Sequence, residues 1–349
     1  MGWSDEGDSV TTTTPGMVCG HHHLYSALAR GMPAPPKTPS NFAEILQQIW
    51  WRLDVALDLE MIRWSAMLGA LEALEHGTTA IIDHHESPSA IEGSLDVISE
   101  ACADVGVRVV CAYGVTNRHG SEGARKGLEE NRRFIEGGGM GFVGIHAAFT
   151  CSPDTLESAA GLAADLGVGV HIHVCEGPQD VNAAELLRPL SREDWLLAHC
   201  VNLPESPGLK GTIAHNPRSN LNNDVGYADP ARFENRVILG SDGIGAAMLE
   251  EFQIAYLCHR DSDVEASPET AWDWLGNGRD LVPGTNDDVV TWAYDEMSPW
   301  HVAYTPGIRP VRVEIDGEPV LDDGEPTRVD AKEIRAKAAE QAARLHSRL

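Results

Sequence analysis

The segment PGMVCGHHHLYSALARG (Pro15–Gly31) places a short apolar run directly ahead of three consecutive histidines. Short apolar runs bounded by glycine or proline read as buried strands. The same figure returns along the chain in TTAIIDHH (Thr78–His85), RVVCAYG (Arg108–Gly114), FVGIHAAF (Phe142–Phe149), GVHIHVCE (Gly169–Glu176), WLLAHC (Trp195–Cys200), GTIAHN (Gly211–Asn216) and RVILGSDG (Arg236–Gly243). Between these runs lie stretches with helical spacing, such as MIRWSAMLGALEALEHG, SLDVISEACADVG and SPDTLESAAGLAADLG. Each closes on a glycine suited to a helix C-cap. Strands alternating with helices, without a glycine-rich phosphate loop, predict an α/β fold of the (β/α)8 TIM-barrel type rather than a doubly wound open sheet.

After Pro283 the rhythm changes. VRVEIDGEPVLDDGEPTRVD alternates with period two around an Asp316-Gly317 turn and reads as a β-hairpin. DAKEIRAKAAEQAARLHSRL offers Asp330 as an N-cap with Glu333 three residues on, which predicts a C-terminal helix. The expected organisation is a reduced N-terminal remnant of a β appendage (1–14), a barrel (15–285), the strands of that appendage (286–329) and a closing helix (330–349).

The 349 residues carry 53 acidic against 26 basic side chains, a formal charge of -27. Nucleic acid and anionic membrane surfaces would be repelled, so a small neutral or cationic molecule is the expected partner. A homo-oligomer is compatible with this composition. The seven cysteines are spread through apolar runs with no CxxC pair, the pattern of reduced thiols in a cytosolic protein. The acidic start MGWSDEGDSVTTTT does not resemble a signal peptide, and no apolar run is long enough to span a bilayer, so a cytoplasmic location is expected.

Nearly every strand ends in a residue able to bind metal or move a proton: His21 and His23, Asp83 with His84, His146, His173, His199, His215 and Asp242. In a (β/α)8 barrel the C-terminal strand ends converge on one mouth, so these residues become neighbours. Side chains alternate across a strand, so His21 and His23 point one way and His22 the other. Two imidazoles spaced in this manner reach one cation. A His-plus-carboxylate set with an open position suits Zn²⁺ or Fe²⁺, and such an ion lowers the pKa of a bound water. His22 packs on the outside or lies exposed. On the fifth strand His173 stands three residues before Glu176, which is well placed to shuttle protons. His173 is therefore taken as ligand and Glu176 as acid/base, with His171 left to the barrel wall.

The ordered set PGxxxxHxH (Pro15–His23), HxxE (His173–Glu176), AHC (Ala198–Cys200), HNPxSN (His215–Asn220) and SDG (Ser241–Gly243) resembles the amidohydrolase superfamily, in its cytosine-deaminase and triazine-hydrolase-like branch. WWRLD (Trp50–Asp54), DHHESP (Asp83–Pro88) and HNPRSNLNNDVGYA (His215–Ala228) are similar to the SsnA-type aminohydrolases within it. The resemblance covers almost the whole chain from Pro15 onward. It implies one divalent metal, zinc first with iron or manganese as alternatives, held by His21, His23, His173 and Asp242. It also implies that Asp242 takes a proton from the attacking water, that Glu176 protonates a ring nitrogen or leaving group, and that His199 orients hydroxide or stabilises the developing oxyanion. Binuclear relatives use a carboxylated lysine on the fourth strand; FVGIHAAFTC has none, which favours a single ion. His146 stands there instead and either contacts substrate or braces the ligands. His215, with Asn216 beside it, is a second substrate candidate, or the HNP turn serves the shape of the chain there. Arg218 either grips an anionic substrate group or is a surface arginine. The tail hairpin is expected without N-terminal partner strands. Gly114 occupies a position where an SsnA-type protein would carry an acidic residue.

The implied reaction is hydrolysis of a C–N bond in a small cyclic, purine- or pyrimidine-like compound. Ring-opening amide hydrolysis and dechlorination use the same centre, and a barrel that binds metal or ligand without turnover is a reading of another class.

Overall fold

Each apolar run becomes a strand, and the segments between them coil into the covering helices. A computed structural model describes residues 11–349; the first ten residues of the expected N-terminal remnant lie outside the described residues. The strands are β1 (Thr12–Pro15), β2 (Met17–His22), β3 (Thr78–His85), β4 (Arg108–Tyr113), β5 (Val143–Ala147), β6 (Val170–Val174), β7 (Leu196–His199), β8 (Thr212–His215) and β9 (Val237–Leu239). β2, β3, β5 and β6 are buried at every position, as parallel strands covered by helices must be. Parallel pairing runs through β2-β3-β4 and through β5-β6-β7-β8-β9. Bridges Cys111↔Gly141 and Val115↔Ile145 join the two sheets, and His22↔Asp242 closes the ring. The result is an eight-stranded TIM-type barrel of β2 to β9.

The helix Pro153–Leu166 illustrates how local sequence fixes the cover. Ser152 Oγ accepts from the Thr155 amide at 3.2 Å, Pro153 fills the first turn where no amide hydrogen is needed, and Gly167 ends the helix in the left-handed conformation at φ 69°. Leu156, Ala159, Leu162 and Ala163 face inward at helical spacing.

A second sheet is antiparallel, in the order β1-β10-β11-β12-β13, with β10 (Val289–Trp292), β11 (Pro310–Ile315), β12 (Glu318–Asp322) and β13 (Glu325–Pro326). The Asp316-Gly317 turn has φ of 55° and 76°, the mirror-image hairpin geometry that asparagine, aspartate and glycine tolerate. The tail does not stand alone: Thr12 pairs with Trp292 and Pro15 with Val289. The expected single strand from Pro15 is in fact two, parted at Gly16. A Cβ at Gly16 would lie 2.2 Å from Thr79 Oγ1, so only glycine passes there. Trp292 is buried and donates from Nε1 to Thr14 Oγ1 at 2.9 Å. Arg108, at the start of β4, bonds Asp288 at 2.8 Å and Asp316 at 2.7 Å and so ties the appendage to the barrel.

The C-terminal helix, Ala331–His346, begins where Asp330 accepts from the amides of Lys332 and Glu333. Ile334, Ala338 and Leu345 are buried on one side, and ion pairs Arg335–Glu75 (2.7 Å) and Arg344–Asp58 (3.0 Å) run to the two caps of the helix Leu59–Leu74. All seven cysteines are free thiols. Among the described residues no helix is long and apolar enough to cross a membrane.

Candidate active site

The C-terminal strand ends open on one cavity, lined by His23, His146, His173, Glu176 and Asp242 among others. At its floor one donor atom from each of His21, His23, His173 and Asp242 lies within 4.8 Å of the others. These come from the end of β2, the residue after it, β6 and the turn after β9. His23 Nδ1 donates to the His84 carbonyl at 2.5 Å and His173 Nδ1 to the His146 carbonyl at 2.6 Å. A carbonyl only accepts, so each ring keeps its proton on Nδ1 and turns the Nε2 lone pair inward. The two Nε2 atoms are 3.1 Å apart, and Asp242 Oδ1 is 2.9 Å from His23 Nε2 and 3.3 Å from His21 Nε2. His21 Nε2 is buried with no hydrogen-bond partner.

Lone pairs facing one another at this spacing repel unless a cation sits among them. Zinc–nitrogen bonds of about 2.0–2.1 Å in a tetrahedral set place ligand atoms at this kind of separation. Burial lowers His21 to about 3 and holds His173 well below its ordinary value, so both are neutral imidazoles, the ligand form. Burial also opposes charge on His23, yet hydrogen bonding and attraction to Asp242 push it up to about 9, so its Nε2 takes a proton toward Asp242 wherever no metal ion claims the lone pair. The donor set thus calls for positive charge at its centre and fits a divalent metal.

The remaining histidines sort by direction. His171 shares its strand face with His173, and its Nε2 lies 2.8 Å from His21 Nδ1. It orients a neighbour inside the barrel, so its assignment to the wall gives way to the alternation rule. His84 donates from Nε2 to the Ile145 carbonyl at 3.0 Å and stands 4.5 Å from the His173 ring, while His85 turns away to Ser87 Oγ at 2.9 Å. His22 points out of the barrel but is buried, its Nδ1 3.0 Å from Ser241 Oγ beside Asp242.

Glu176 and His199 stand over the cluster. His199 Nδ1 donates to Asn220 Oδ1 at 2.8 Å, which leaves the His199 Nε2 lone pair aimed into the site with no hydrogen-bond partner. Glu176 Oε2 is 3.6 Å from that nitrogen. Burial raises the Glu176 carboxyl to about 7, with His199 drawing it down and Asp242 pushing it further up. His199 and Asp242 hold φ of 72° and 54°, and Cys175, next to Glu176, holds 49°. Left-handed backbone at non-glycine residues gathers at strand ends that must aim a side chain.

Several further side chains position these groups or the turn that carries them. Ser219 Oγ donates to Asp242 Oδ2, Asn223 Nδ2 to Glu176 Oε1 at 3.5 Å, and Asn216 Nδ2 to the Ala214 carbonyl at 3.3 Å. With Asn220 these occupy the helix Pro217–Asn222 and its two caps. Asn220→Ala is expected to free the His199 ring and lower kcat about 10- to 100-fold with metal content unchanged, the usual scale for an outer-sphere partner. Metal analysis and rate measurements on the same sample check this.

Of the three substrate candidates, only His146 faces the cavity, its Nδ1 2.8 Å from Thr150 Oγ1. His215 is fully buried against Tyr227 and Trp274 and does not line the cavity. Arg218 also stands outside it, paired with Glu251 at 2.8 Å and Glu250 at 3.2 Å, so its guanidinium is already taken. The cavity walls are aromatic, with Tyr25, Phe42, Trp50, Trp51 and Phe149.

A profile described as "Amidohydrolase family" matches residues 12–275. The chain is 30% identical to a 5'-deoxyadenosine deaminase of Methanopyrus kandleri, over 76% of this chain and 66% of that protein. It is 29% identical to a 5-methylthioadenosine/S-adenosylhomocysteine deaminase of Symbiobacterium thermophilum, over 95% and 86%. The chain thus spans just under two thirds of the first relative's length and most of the second's. Its fold superposes on an adenosine deaminase from Xanthomonas campestris with bound zinc (TM-score 0.81, 20% identity, 97% of this chain and 86% of that one). It also superposes on a zinc-complexed atrazine chlorohydrolase from Arthrobacter aurescens (TM-score 0.78, 20% identity, 95% and 88%). At that identity the likeness is one of fold.

Proposed function

The chain belongs to the amidohydrolase family, and from that premise we propose that it is a metal-dependent aminohydrolase releasing ammonia from a small nitrogen heterocycle of the purine or pyrimidine kind. The observation that carries this reading is the pairing of a converged His/His/His/Asp ligand set with a proton-holding carboxyl and an oriented imidazole above it. A divalent ion held by His21, His23, His173 and Asp242, with zinc the first choice for three nitrogens and one carboxylate, would supply hydroxide at neutral pH by lowering the pKa of its water.

The chain's own groups do the rest. Asp242, fixed through Oδ2 by Ser219, accepts a proton through its free lone pairs. His199, held by Asn220, presents a lone pair that orients the attacking oxygen. Glu176, near neutrality, delivers a proton to the ring or departing nitrogen. An amino group needs a proton in the step that expels it and chloride does not, so a carboxyl that keeps its proton near pH 7 favours deamination over dechlorination. A passive metal site has no use for Glu176 or for the Asn220–His199 bond. The aromatic walls suit a flat ring.

An ammonia-release screen of purines, pyrimidines, triazines and hydantoins with metal-loaded protein tests the reading. Turnover is expected with an amino-substituted ring. Silence across the panel with metal bound would turn the assignment to the non-catalytic barrel.

A further inference from the structure

On the cavity wall that the reaction leaves unused, two buried carboxylates stand together. Asp54 is 1% exposed and Glu86 3%, and both line the cavity. One cation serves the pair: Arg118 Nη2 lies 3.1 Å from Asp54 Oδ2 and against Glu86 Oε2, with its guanidinium 4.6 Å over the Trp51 ring. Arg118 sits behind the wall and does not line the cavity. Two carboxylates against one guanidinium leave a surplus negative charge and two acceptor atoms. Asp54 Oδ1 is buried without a hydrogen bond of ordinary geometry, and the Tyr25 hydroxyl is the neighbouring donor that favours the Asp54 carboxylate. Glu86 Oε1 has His146 Nε2 at 3.6 Å, beyond ordinary hydrogen-bond reach.

The space for Glu86 is itself built. A Cβ at Gly114 would come within 2.9 Å of Glu86 Cγ and 3.0 Å of Oε1. Glycine at the position where an acidic residue was expected therefore admits an acidic side chain from the end of the neighbouring strand. The cavity's other carboxylates are Glu176, Asp180 and Asp242, and no lysine or arginine lines it. Burial pushes Glu86 up to about 8 against the pull of Arg118, with Asp54 adding to the rise, and burial raises Asp54 as well. The pair therefore holds a proton or takes a cation in its place.

We propose that Asp54 and Glu86 form a cation subsite, so that the substrate is a ring bearing, away from the C–N bond that breaks, a positively charged nitrogen group whose N–H donors reach Asp54 Oδ1 and Glu86 Oε1. Charged donors against buried carboxylates make the stronger class of hydrogen bond, and the face of Trp51 beside them favours a planar cation such as an amidinium. Carboxylate- and phosphate-bearing compounds are rejected by the same charge. The inference rests on the aminohydrolase reading for the bond that is cleaved, but the subsite is measurable without turnover.

The test is calorimetric titration of the metal-loaded full chain with benzamidine and with benzamide, which share shape and differ in charge. Benzamidine is expected to bind at least tenfold tighter. Asp54→Asn and Glu86→Gln, each checked by its melting temperature, should bring that ratio close to one, and either variant alone suffices if the other does not fold. Benzamide binding as tightly as benzamidine to the wild type would overturn the subsite. So would a preference that survives in a folded subsite variant yet vanishes in Glu176→Gln, because the cation would then sit at the catalytic carboxyl. A silent ammonia screen with the benzamidine preference intact would remove the reaction and leave the subsite standing.

Discussion

Glu176→Gln is expected to keep the fold and the bound metal while turnover falls about 10²- to 10⁴-fold, the range over which a positioned general acid or base contributes. Glutamine matches the volume of glutamate and still offers Asn223 an acceptor oxygen in place of Glu176 Oε1. What it lacks is a titrating proton. Glu176 is 13% exposed toward the cavity and 3.6 Å from the His199 nitrogen, so it can pass a proton between the attacking water and a leaving nitrogen without rearranging its neighbours. Its carboxyl, raised by burial to about 7, is populated in both protonation states near neutral pH, which a group that must accept and then donate requires. The check is ammonia release and metal content on the same preparation. Full activity would take Glu176 out of the reaction, and loss of the metal would make it a structural support instead.

The barrel was legible because its strands are short, apolar and regularly spaced, and because polar strand ends in such a barrel share one mouth. Period-two alternation separated His21 and His23 from His22, and applied with equal rigour it would have brought His171 into the lumen beside His173. The helix Pro217–Asn222 holds a signal of the other period. Asn216, Ser219, Asn220 and Asn223 fall at i, i+3, i+4 and i+7, a polar face turned toward the site, where Ser219, Asn220 and Asn223 bond Asp242, His199 and Glu176. Arg218 falls off that face, which is why it meets Glu250 and Glu251 instead of substrate. Two things were beyond local reading. The pairing of Thr12–Pro15 with Val289–Trp292 joins opposite ends of the chain, and strand partners at such separation leave no local trace. The Asp54, Glu86 and Arg118 cluster draws on three segments whose spacing carries no periodic mark.

Removing one ligand should have the other large effect. His23→Ala and Asp242→Ala are each expected to take the protein from about one tightly held divalent ion per chain to well below one, with activity lost alongside. Each deletion leaves the other donors facing one another with fewer bonds to the ion. Asp242→Ala also removes the carboxylate that, together with hydrogen bonding, offsets the burial cost of positive charge at the centre. Because the ion binds the folded chain and not the unfolded one, it adds about 4 kcal/mol when supplied at a thousand times its Kd. A chelator should therefore lower the melting temperature of the wild type and barely move that of either variant, a readout that does not depend on knowing the substrate. Unchanged metal content in both variants would place the ion elsewhere. Two equivalents held with equal affinity would also defeat the single-ion site. The second ion would then lie among Glu176, His199 and Asp242, whose donor atoms come within 4.8 Å of one another, and it would occupy the groups assigned here to proton transfer. Metal titration of Glu176→Gln separates the cases, since a site built on that carboxylate loses its second equivalent and a single-ion centre keeps its first.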